Sequence, residues 1–444
     1  MTPKCMLNVC FLMICVGVSR MAWAQGQSWE ASADRLGQLE ERDGTTIYDE
    51  NRVPDYVLPP LLVTADGSRV REARQWVAKR RPEILSLFER FMFGQSPVGG
   101  APTSSFSVRE AAGSALDGLA KREQVRFEFA RGTERAGMDL LLYLPREAKG
   151  PTPVFLILNF GGNHTISMDP SVERPTWPEG SDPGLVRSLK SERGGQAGRF
   201  SLAAILGRGY GLATVYYEEI GPDRGDAVSQ GVRGLFNGRQ GRDGWSSIGA
   251  WAWGLSRAMD YLVANPGVDS RRVIVMGHSR LGKTALWAGA RDQRFAMVVS
   301  NCSGCGGAAL SRRHYGETVK RINTRFPHWF CEKFKSFNDD EGALPLDQHM
   351  LIALMAPRPV YVVSADEDLW ADPRGEFLSC LAADPVYDLL GVPGLEAETM
   401  PGLDRPLLKG RIGYHVRSGR HDLTEYDWQR VMDFADRHLE INRE

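Results

Sequence analysis

Residues 271–290, RRVIVMGHSRLGKTALWAGA, contain the pattern on which the predicted fold depends. Arg272 to Met276 is an apolar run typical of a buried strand, and a helical pattern follows it. Gly277 and Gly282 allow a sharp turn between the two, because glycine has no Cβ to clash. Ser279 is therefore predicted at the tip of a strand–turn–helix unit, where its hydroxyl is exposed as a nucleophile. The spacing G-x-S-x-x-G departs by one residue from the usual G-x-S-x-G.

Strand-like apolar runs alternate with helical patterns over most of the chain. The clearest helices are predicted at Trp245–Ala264 and Lys283–Ala290. Such alternation favours right-handed crossovers, and hence a mainly parallel sheet with helices on both faces. Together with the turn at Ser279, this alternation predicts an α/β class protein with an α/β-hydrolase fold and an eight-stranded sheet. The predicted strands are Gln124–Ala130, Met138–Leu144, Pro153–Asn159, Leu212–Tyr217, Arg272–Met276, Ala296–Ser300, Val360–Ser364 and Gly413–Arg417.

A histidine beyond the last predicted strand is the candidate base. A serine hydroxyl is a weak nucleophile at neutral pH and needs a general base. In this fold the order along the chain is nucleophile, acid, histidine. His421, in SGRHD at 418–422, stands where the fold places its base. His415 lies inside the last strand and His438 on the terminal helix, so we expect structural roles for both. His349 precedes the strand that should carry the acid.

The acid is expected after the penultimate strand, in the run DEDLWADP at 366–373. Its role is to hold the imidazole in one tautomer and to stabilise the imidazolium. Spacing alone leaves Asp366 and Asp368 equally suited to that role. The other carboxylates, Glu367 and Asp372, are expected to belong to a solvated loop and turn.

The composition bounds the possible partners. The chain has 444 residues, of which 42% are hydrophobic and 25% charged, as in ordinary globular proteins. The formal net charge is −1 and no long block of like charge occurs, so nothing favours a nucleic acid or a membrane surface as partner. A chain of this length can bury a large core and needs no metal or disulfide merely to fold.

The N-terminus resembles an export signal. Lys4 is followed by a mostly apolar stretch, Met6–Val18, that is shorter than the ~20 residues needed to cross a bilayer. Ala22-Trp23-Ala24 supplies the small-x-small cleavage pattern. We therefore expect residues 1–24 to be a signal peptide that is cut near Ala24, and a secreted or periplasmic bacterial protein.

The remaining chain is divided into a lead-in and a catalytic domain. Residues 25–100 are predicted to be an N-terminal segment and helix packed on the main domain, and residues 101–444 to be the α/β-hydrolase domain. The helix is expected at Val70–Phe93, interrupted by Pro82. Gly99–Ser105 is predicted to be a loop.

Four cysteines remain after removal of the signal. Export favours their oxidation, and four cysteines allow three connectivities, among which the sequence does not choose. A Cys-x-x-Cys pair has local zinc spacing, but no matching second pair follows, so no metal site is predicted. The four are Cys302, Cys305, Cys331 and Cys380.

Several motifs between Arg81 and the C-terminus resemble the glucuronoyl esterases of carbohydrate esterase family 15, bacterial branch. An Arg directly after the nucleophile and a Lys three residues later are not general features of α/β-hydrolases. The matching motifs are GHSRLGK at 277–283, SNCSGCGGAALSRR at 300–313, FPHWF at 326–330, LIALMAPRPVYVVSA at 351–365, DLWADPRGEF at 368–377, NFGGNHT at 159–165 and the histidine turn at 418–422.

The resemblance implies a role for each matching residue. These roles are nucleophile for Ser279, base for His421, oxyanion stabilisation for Arg280, hydrogen bonds to sugar hydroxyls for Lys283, and lining of the glucuronoyl pocket for Glu317 and Trp370.

The resemblance also favours one acid. Many members carry a Glu after the strand that follows the nucleophile helix, but Cys302 stands at the matching position here and cannot serve. Some bacterial members instead carry an Asp two residues before the pocket Trp. In this chain that residue is Asp368, two positions before Trp370. The resemblance thus selects Asp368 over Asp366.

The implied activity is hydrolysis of the ester between (4-O-methyl-)glucuronic acid of xylan and lignin alcohols, through a glucuronoyl-enzyme intermediate and without a metal or organic cofactor. Arg280 and Lys283, at i and i+3 on one helix, would supply the charged donors that a uronate needs. A monomer is expected. The alternatives are another carbohydrate esterase, such as an acetyl xylan or pectin methyl esterase, and a non-catalytic glycan-binding protein on a hydrolase scaffold.

Overall fold

The described residues of the computed structural model, 28–96, 102–175, 191–236 and 244–440, form one nine-stranded sheet. Its spatial order is β1-β2-β3-β5-β4-β6-β7-β8-β9. The first four strands in that order pair antiparallel, and the pairs from β5 through β4 to β9 are all parallel. The strands are β1 Thr103–Ala115, β2 Ala120–Arg131, β3 Glu134–Pro145, β4 Thr152–Asn159, β5 Gly211–Tyr216, β6 Val268–His278, β7 Met297–Asn301, β8 Val360–Ala365 and β9 Ile412–Arg417.

The prediction of eight strands was wrong by one, and the additional strand is β1. It lies at the edge of the sheet and pairs with β2. Most of its residues are exposed on both faces, and only Phe106 and Val108 alternate as large apolar residues, so the strand pattern is too short to be recognised. The loop predicted at Gly99–Ser105 was therefore wrong at Thr103–Ser105, which begin β1. Residues 99–101, like the predicted signal peptide and its cleavage site near Ala24, lie outside the described residues.

Helices flank the sheet, as the α/β-hydrolase prediction requires. The helices predicted at Trp245–Ala264 and Lys283–Ala290 correspond to α6 (Ser247–Ala264) and α7 (Arg280–Arg291). The α-helices are α1 Ala33–Arg42, α2 Ala73–Gln75, α3 Arg81–Phe91, α4 Leu202–Gly207, α5 Tyr217–Ile220, α6 Ser247–Ala264, α7 Arg280–Arg291, α8 Val319–Arg325, α9 Gln348–Ala353, α10 Pro373–Leu389 and α11 Glu425–His438.

Two hydrophobic cores lie on opposite faces of the sheet. Val154 and Leu156 of β4 belong to one core, and the alternating Phe155 and Ile157 belong to the other. Side chains of α6, α7 and α10 pack in the first core, and side chains of α4 and α11 pack in the second. Helices therefore cover both faces, which confirms the predicted architecture.

The N-terminal residues pack against the nucleophile helix. A π-helical turn, Trp76–Arg80, joins α2 to α3 just before Pro82, where the missing N–H interrupts the α-helical pattern as predicted. Phe93 stacks on Trp287 of α7 with a centroid distance of 4.6 Å. None of the helices in the described part of the chain is both long and apolar enough to span a membrane.

Candidate active site

Ser279 occupies a strained turn between β6 and α7. Its backbone has φ 58° and ψ −128°, a conformation that L-residues rarely adopt and that occurs where the surrounding structure enforces it. A Cβ at Gly277 would overlap the carbonyl oxygen of Leu281, so only glycine fits there. The Ser279 N–H donates to the Asn301 carbonyl oxygen at 2.8 Å. The predicted strand–turn–helix unit is thus present, and it presents Ser279 at the carboxyl end of the parallel strands.

The predicted base and one predicted acid are in direct contact. His421 Nδ1 lies 2.5 Å from Asp368 Oδ2. The carboxylate is nearly buried, with 8% of the Asp368 side chain exposed, whereas 41% of the His421 side chain is exposed. A buried carboxylate bonded to Nδ1 fixes the imidazole and leaves Nε2 as the ring nitrogen available for proton exchange.

Asp366, the other acid that spacing allowed, has a different partner. Its Oδ1 accepts a hydrogen bond from the Gly419 N–H at 2.7 Å. Burial raises the pKa of Asp366, and the Gly419 hydrogen bond opposes this. The Asp366 carboxylate therefore holds the backbone of the histidine loop, and it is the Asp368 carboxylate that meets the imidazole.

A buried arginine, which the sequence analysis did not single out, braces the same loop. Arg417 Nη2 donates to the carbonyl oxygens of Arg420 and Asp422 at 2.9 and 2.7 Å. Its Nε donates to both carboxylate oxygens of Asp427, at 3.0 and 2.9 Å. An arginine at the end of a buried strand was the available signal. It fixes the loop on either side of His421.

The histidines that were set aside as bases are bound elsewhere. His415, inside β9, contacts Asp427 Oδ1 at 3.0 Å and the Tyr361 hydroxyl at 2.8 Å. His349 and His438 contact the carbonyl oxygens of Pro59 and Leu408. These three rings therefore hold packed elements together and do not contact Asp368.

A second imidazole lies beside His421. The ring of His278, the residue before the nucleophile, is 4.7 Å from the His421 ring, and its Nδ1 is bonded to Asn301 Oδ1. Burial, together with the nearby His421, lowers the pKa of His278 to about 3. His278 is therefore neutral near neutral pH and does not repel a His421 imidazolium.

Cys302 stands in the position where the resemblance placed a Glu in other members. Atoms of Cys302, Asp368 and His421 that could ligate a metal lie within 4.8 Å of one another. Burial raises the pKa of the Cys302 thiol well above its usual value, and the charge of Asp368 adds to this. All four cysteines are buried and free, so the described residues contain no disulfide.

The remaining predicted site residues lie around the start of α7. Lys283 is buried, and its Nζ donates to the Ser303 carbonyl oxygen. The Glu317 N–H donates to the Trp370 carbonyl oxygen at 3.0 Å. Burial lowers the pKa of Lys283 and raises that of Glu317, and in each case the charge of the other opposes the shift. The side chain of Arg280 is paired with Asp223.

A buried glutamate missed by the sequence analysis supports this region. Oε1 of Glu376 accepts hydrogen bonds from the N–H groups of Ser303 and Gly304, at 3.0 and 2.9 Å. Oε2 accepts one from the Ser364 hydroxyl at 2.6 Å. Burial raises the pKa of Glu376 to about 7, with the hydrogen bonds from Ser364 and Gly304 opposing. Glu376 thus ties the loop after β7 to the end of β8.

The fold, the strained serine and the histidine–carboxylate pair define an α/β-hydrolase. A family model described as fungal glucuronyl esterase matches residues 144–391. The solved structure of a promiscuous CE15 esterase from a marine bacterial metagenome is 48% identical and has a TM-score of 0.81, covering 88% of this chain and 100% of that one. The glucuronoyl esterase of Solibacter usitatus is 47% identical with a TM-score of 0.80, covering 87% and 99%.

A curated relative extends the match to a named fungal enzyme. The 4-O-methyl-glucuronoyl methylesterase of Phanerochaete carnosa is 33% identical over 356 residues, which are 78% of this chain and 74% of the relative. The chain belongs to the glucuronoyl esterase family, carbohydrate esterase family 15, and is a carboxylic-ester hydrolase. The resemblance inferred from the sequence motifs is thereby confirmed.

Proposed function

We propose that the protein is a secreted serine esterase that hydrolyses the ester between (4-O-methyl-)glucuronic acid of xylan and lignin alcohols. The contact between His421 and Asp368 carries the proposal, because it supplies an oriented base in a chain whose relatives are named glucuronoyl esterases. The substrate is a glucuronate ester of glucuronoxylan, and no metal or organic cofactor takes part.

The proposed reaction proceeds in two steps. Ser279 attacks the uronate carbonyl while His421 accepts the hydroxyl proton, and Asp368 holds the imidazole and stabilises its cationic form. Arg280 steadies the tetrahedral oxyanion, an effect worth ~3 kcal/mol for one well-placed donor. The alcohol leaves with the proton from His421. Water, activated by His421, then hydrolyses the glucuronoyl-enzyme and frees Ser279.

A pocket of polar side chains is proposed to bind the sugar acid. The Lys283 ammonium has three donors, of which the Ser303 carbonyl oxygen accepts one, and we assign the others to sugar hydroxyls. Glu317 and Trp370 line the same pocket, supported by their backbone hydrogen bond. Burial of Lys283 restricts its position, which favours specificity for a polar sugar ring over a simple acyl group.

Hydrolysis of benzyl glucuronate tests the proposal. Ser279→Ala should abolish turnover and leave the melting temperature near that of the wild type. Ser256→Ala, on α6, is the matched control and should keep full activity. A fluorophosphonate should label the wild type and Ser256→Ala but not Ser279→Ala. Full turnover by Ser279→Ala would refute the assignment, and an unlabelled wild type would favour the non-catalytic glycan-binding alternative.

A second candidate is a broader carbohydrate esterase, favoured by the relative that is described as promiscuous. Comparing kcat/KM on benzyl glucuronate, acetylated xylan and methylated pectin separates the two. We expect the glucuronate ester to be preferred by at least about 100-fold, the effect of a few well-placed polar contacts. Equal values on acetylated xylan would support the second candidate.

Export is proposed from the N-terminal signal. Expression of the full chain in a bacterial host should give a mature protein that begins at Gln25, as read by N-terminal sequencing. Recovery of an uncut chain in the cytoplasm would contradict it. We further propose a monomer in solution, which light scattering of the mature protein checks directly.

A further inference from the structure

The guanidinium of Arg280 is held by a buried carboxylate. Asp223 lies just beyond α5, with 4% of its side chain exposed. Its Oδ2 accepts hydrogen bonds from Arg280 Nη1 and, at 2.8 Å, from the Tyr217 hydroxyl. Its Oδ1 accepts from His328 Nε2 at 2.8 Å and from Trp329 Nε1 at 2.7 Å. Each oxygen accepts two hydrogen bonds, which fixes the carboxylate in one orientation.

Aromatic rings surround the same guanidinium. Arg280 Cζ lies 4.5 Å from the centroid of the Trp329 ring and 5.4 Å from that of Phe326. A cation over an aromatic face is attracted by the ring quadrupole. Burial would raise the pKa of Asp223, but the His328 hydrogen bond and the charge of Arg280 outweigh it and hold that pKa well below its usual range. The Asp223 carboxylate is therefore charged at and around neutral pH.

The contacts of Arg280 with Asp223 and the aromatic rings leave some of its N–H donors unused. A guanidinium has five N–H donors in a rigid plane, and Arg280 Nε is buried without a hydrogen-bond partner among the described residues. An unrestrained Arg side chain samples many rotamers, and ordering it during each turnover would slow the reaction. Arg280 directly follows Ser279, so contacts that fix its guanidinium also fix where the remaining donors lie relative to the nucleophile.

We propose that Asp223 is a positioning residue, which fixes the guanidinium of Arg280 beside Ser279 so that its free donors are in place when the oxyanion forms. This inference rests on the proposed function, in which Arg280 stabilises that oxyanion. The sequence offered no local signal for the pair, because the two residues are 57 positions apart.

Asp223→Asn is the informative variant, because it keeps the size of the side chain. The amide oxygen is required at the position that accepts from His328 and Trp329, so the amide NH₂ must face Arg280, where it cannot accept a hydrogen bond. We expect kcat on benzyl glucuronate to fall by about 10- to 100-fold and KM to change by less than about threefold, since the lost interaction is made in the transition state.

A double-mutant cycle distinguishes positioning from a general structural role. Arg280→Ala alone should lower kcat by about 100- to 1000-fold. If Asp223 acts through Arg280, the double variant should be no slower than Arg280→Ala. Losses that multiply would overturn the inference. Asp347→Asn is the matched control, because Asp347 is equally buried and bonded to Arg312 at 3.1 Å, and its folded fraction should keep wild-type kcat. A kcat loss in this control equal to that of Asp223→Asn would also overturn the inference.

Two further results distinguish a failure of this inference from a failure of the proposed function. If Asp223→Asn does not fold, Trp329→Phe removes one donor to Asp223 and leaves a smaller aromatic ring near Arg280. Its kcat should fall by about three- to tenfold, and not at all in the Arg280→Ala background. A wild-type kcat for Trp329→Phe would then overturn the inference. A wild-type kcat in Arg280→Ala, or turnover by Ser279→Ala, would contradict the proposed function itself. If instead kcat falls in Arg280→Ala but not in Asp223→Asn, only the positioning role of Asp223 is overturned.

Discussion

Asp368 and His421 are 53 positions apart, yet their side chains meet at 2.5 Å because their loops follow the neighbouring parallel strands β8 and β9. The carboxyl ends of parallel strands share one edge of the sheet, so each loop opens onto the same space. Asp366, two residues earlier, braces the histidine loop through the Gly419 N–H. One short segment therefore supplies both the partner of the imidazole and the support for its backbone.

This division of roles predicts different outcomes for the same substitution at the two aspartates. Asp368→Asn should lower kcat on benzyl glucuronate by about 10³- to 10⁴-fold, because an amide cannot hold the productive tautomer or stabilise the imidazolium. Asp366→Asn is the matched control and should cost less than tenfold, about 1.4 kcal/mol. Steady-state kinetics on both folded variants provide the measurement. A larger loss in Asp366→Asn would transfer the acid role to that residue.

Cys302 offers a test of whether the acid can be supplied from a second strand. Its thiol lies close to Asp368 and His421, so a carboxylate introduced there should reach the imidazole. In the Asp368→Asn background, Cys302→Glu should recover at least about tenfold in kcat, which corresponds to 1.4 kcal/mol. Cys302→Ser in the same background adds no charge and should recover nothing. Equal rates in the two folded double variants would contradict this prediction.

The parts of the site that were predictable are those with a local pattern. Buried strands such as β4 and β6 are apolar runs, and the turn at Ser279 needs glycine on one side at a fixed spacing. His421 follows from chain order in the fold. These features are encoded within a few consecutive residues, so the sequence alone indicated them.

The features that were missed depend on contacts between distant residues or on exposure. Strand β1 is mostly exposed, and its apolar alternation is limited to Phe106 and Val108. Glu376 meets Ser303 across 73 positions, and Asp223 meets Arg280 across 57. A buried charge is tolerated only where other groups pair or hydrogen-bond with it. The fold determines which groups these are, and they need not be adjacent in the sequence. The roles of Glu376 and Asp223 are therefore visible in the three-dimensional contacts and not in the local sequence.

The turn at the nucleophile predicts a sharp difference between two glycine substitutions. Gly277→Ala should lower the free energy of unfolding by about 3 kcal/mol or more, because the new Cβ would overlap the backbone of Leu281. Gly37→Ala, on α1, has no atom within 4 Å of the new Cβ and should stabilise by about 0.5 kcal/mol. Urea unfolding measures both. Equal midpoints for the two variants would show that the turn can relax.

The buried carboxyl group of Glu376 should make the free energy of unfolding depend on pH. Burial raises its pKa to about 7 in the folded protein, from 4.5 for an unperturbed carboxyl, so the folded state binds more protons between these values. Its contribution is therefore full below pH 4.5 and is lost as the pH rises to 7, by at most about 1.4 kcal/mol per pH unit. Glu376→Gln keeps an oxygen for Ser303 and Gly304 but cannot ionise. Relative to the wild type, this variant should gain stability steadily from pH 4.5 to 7 in urea titrations, and a constant difference would mean that Glu376 does not titrate in this range.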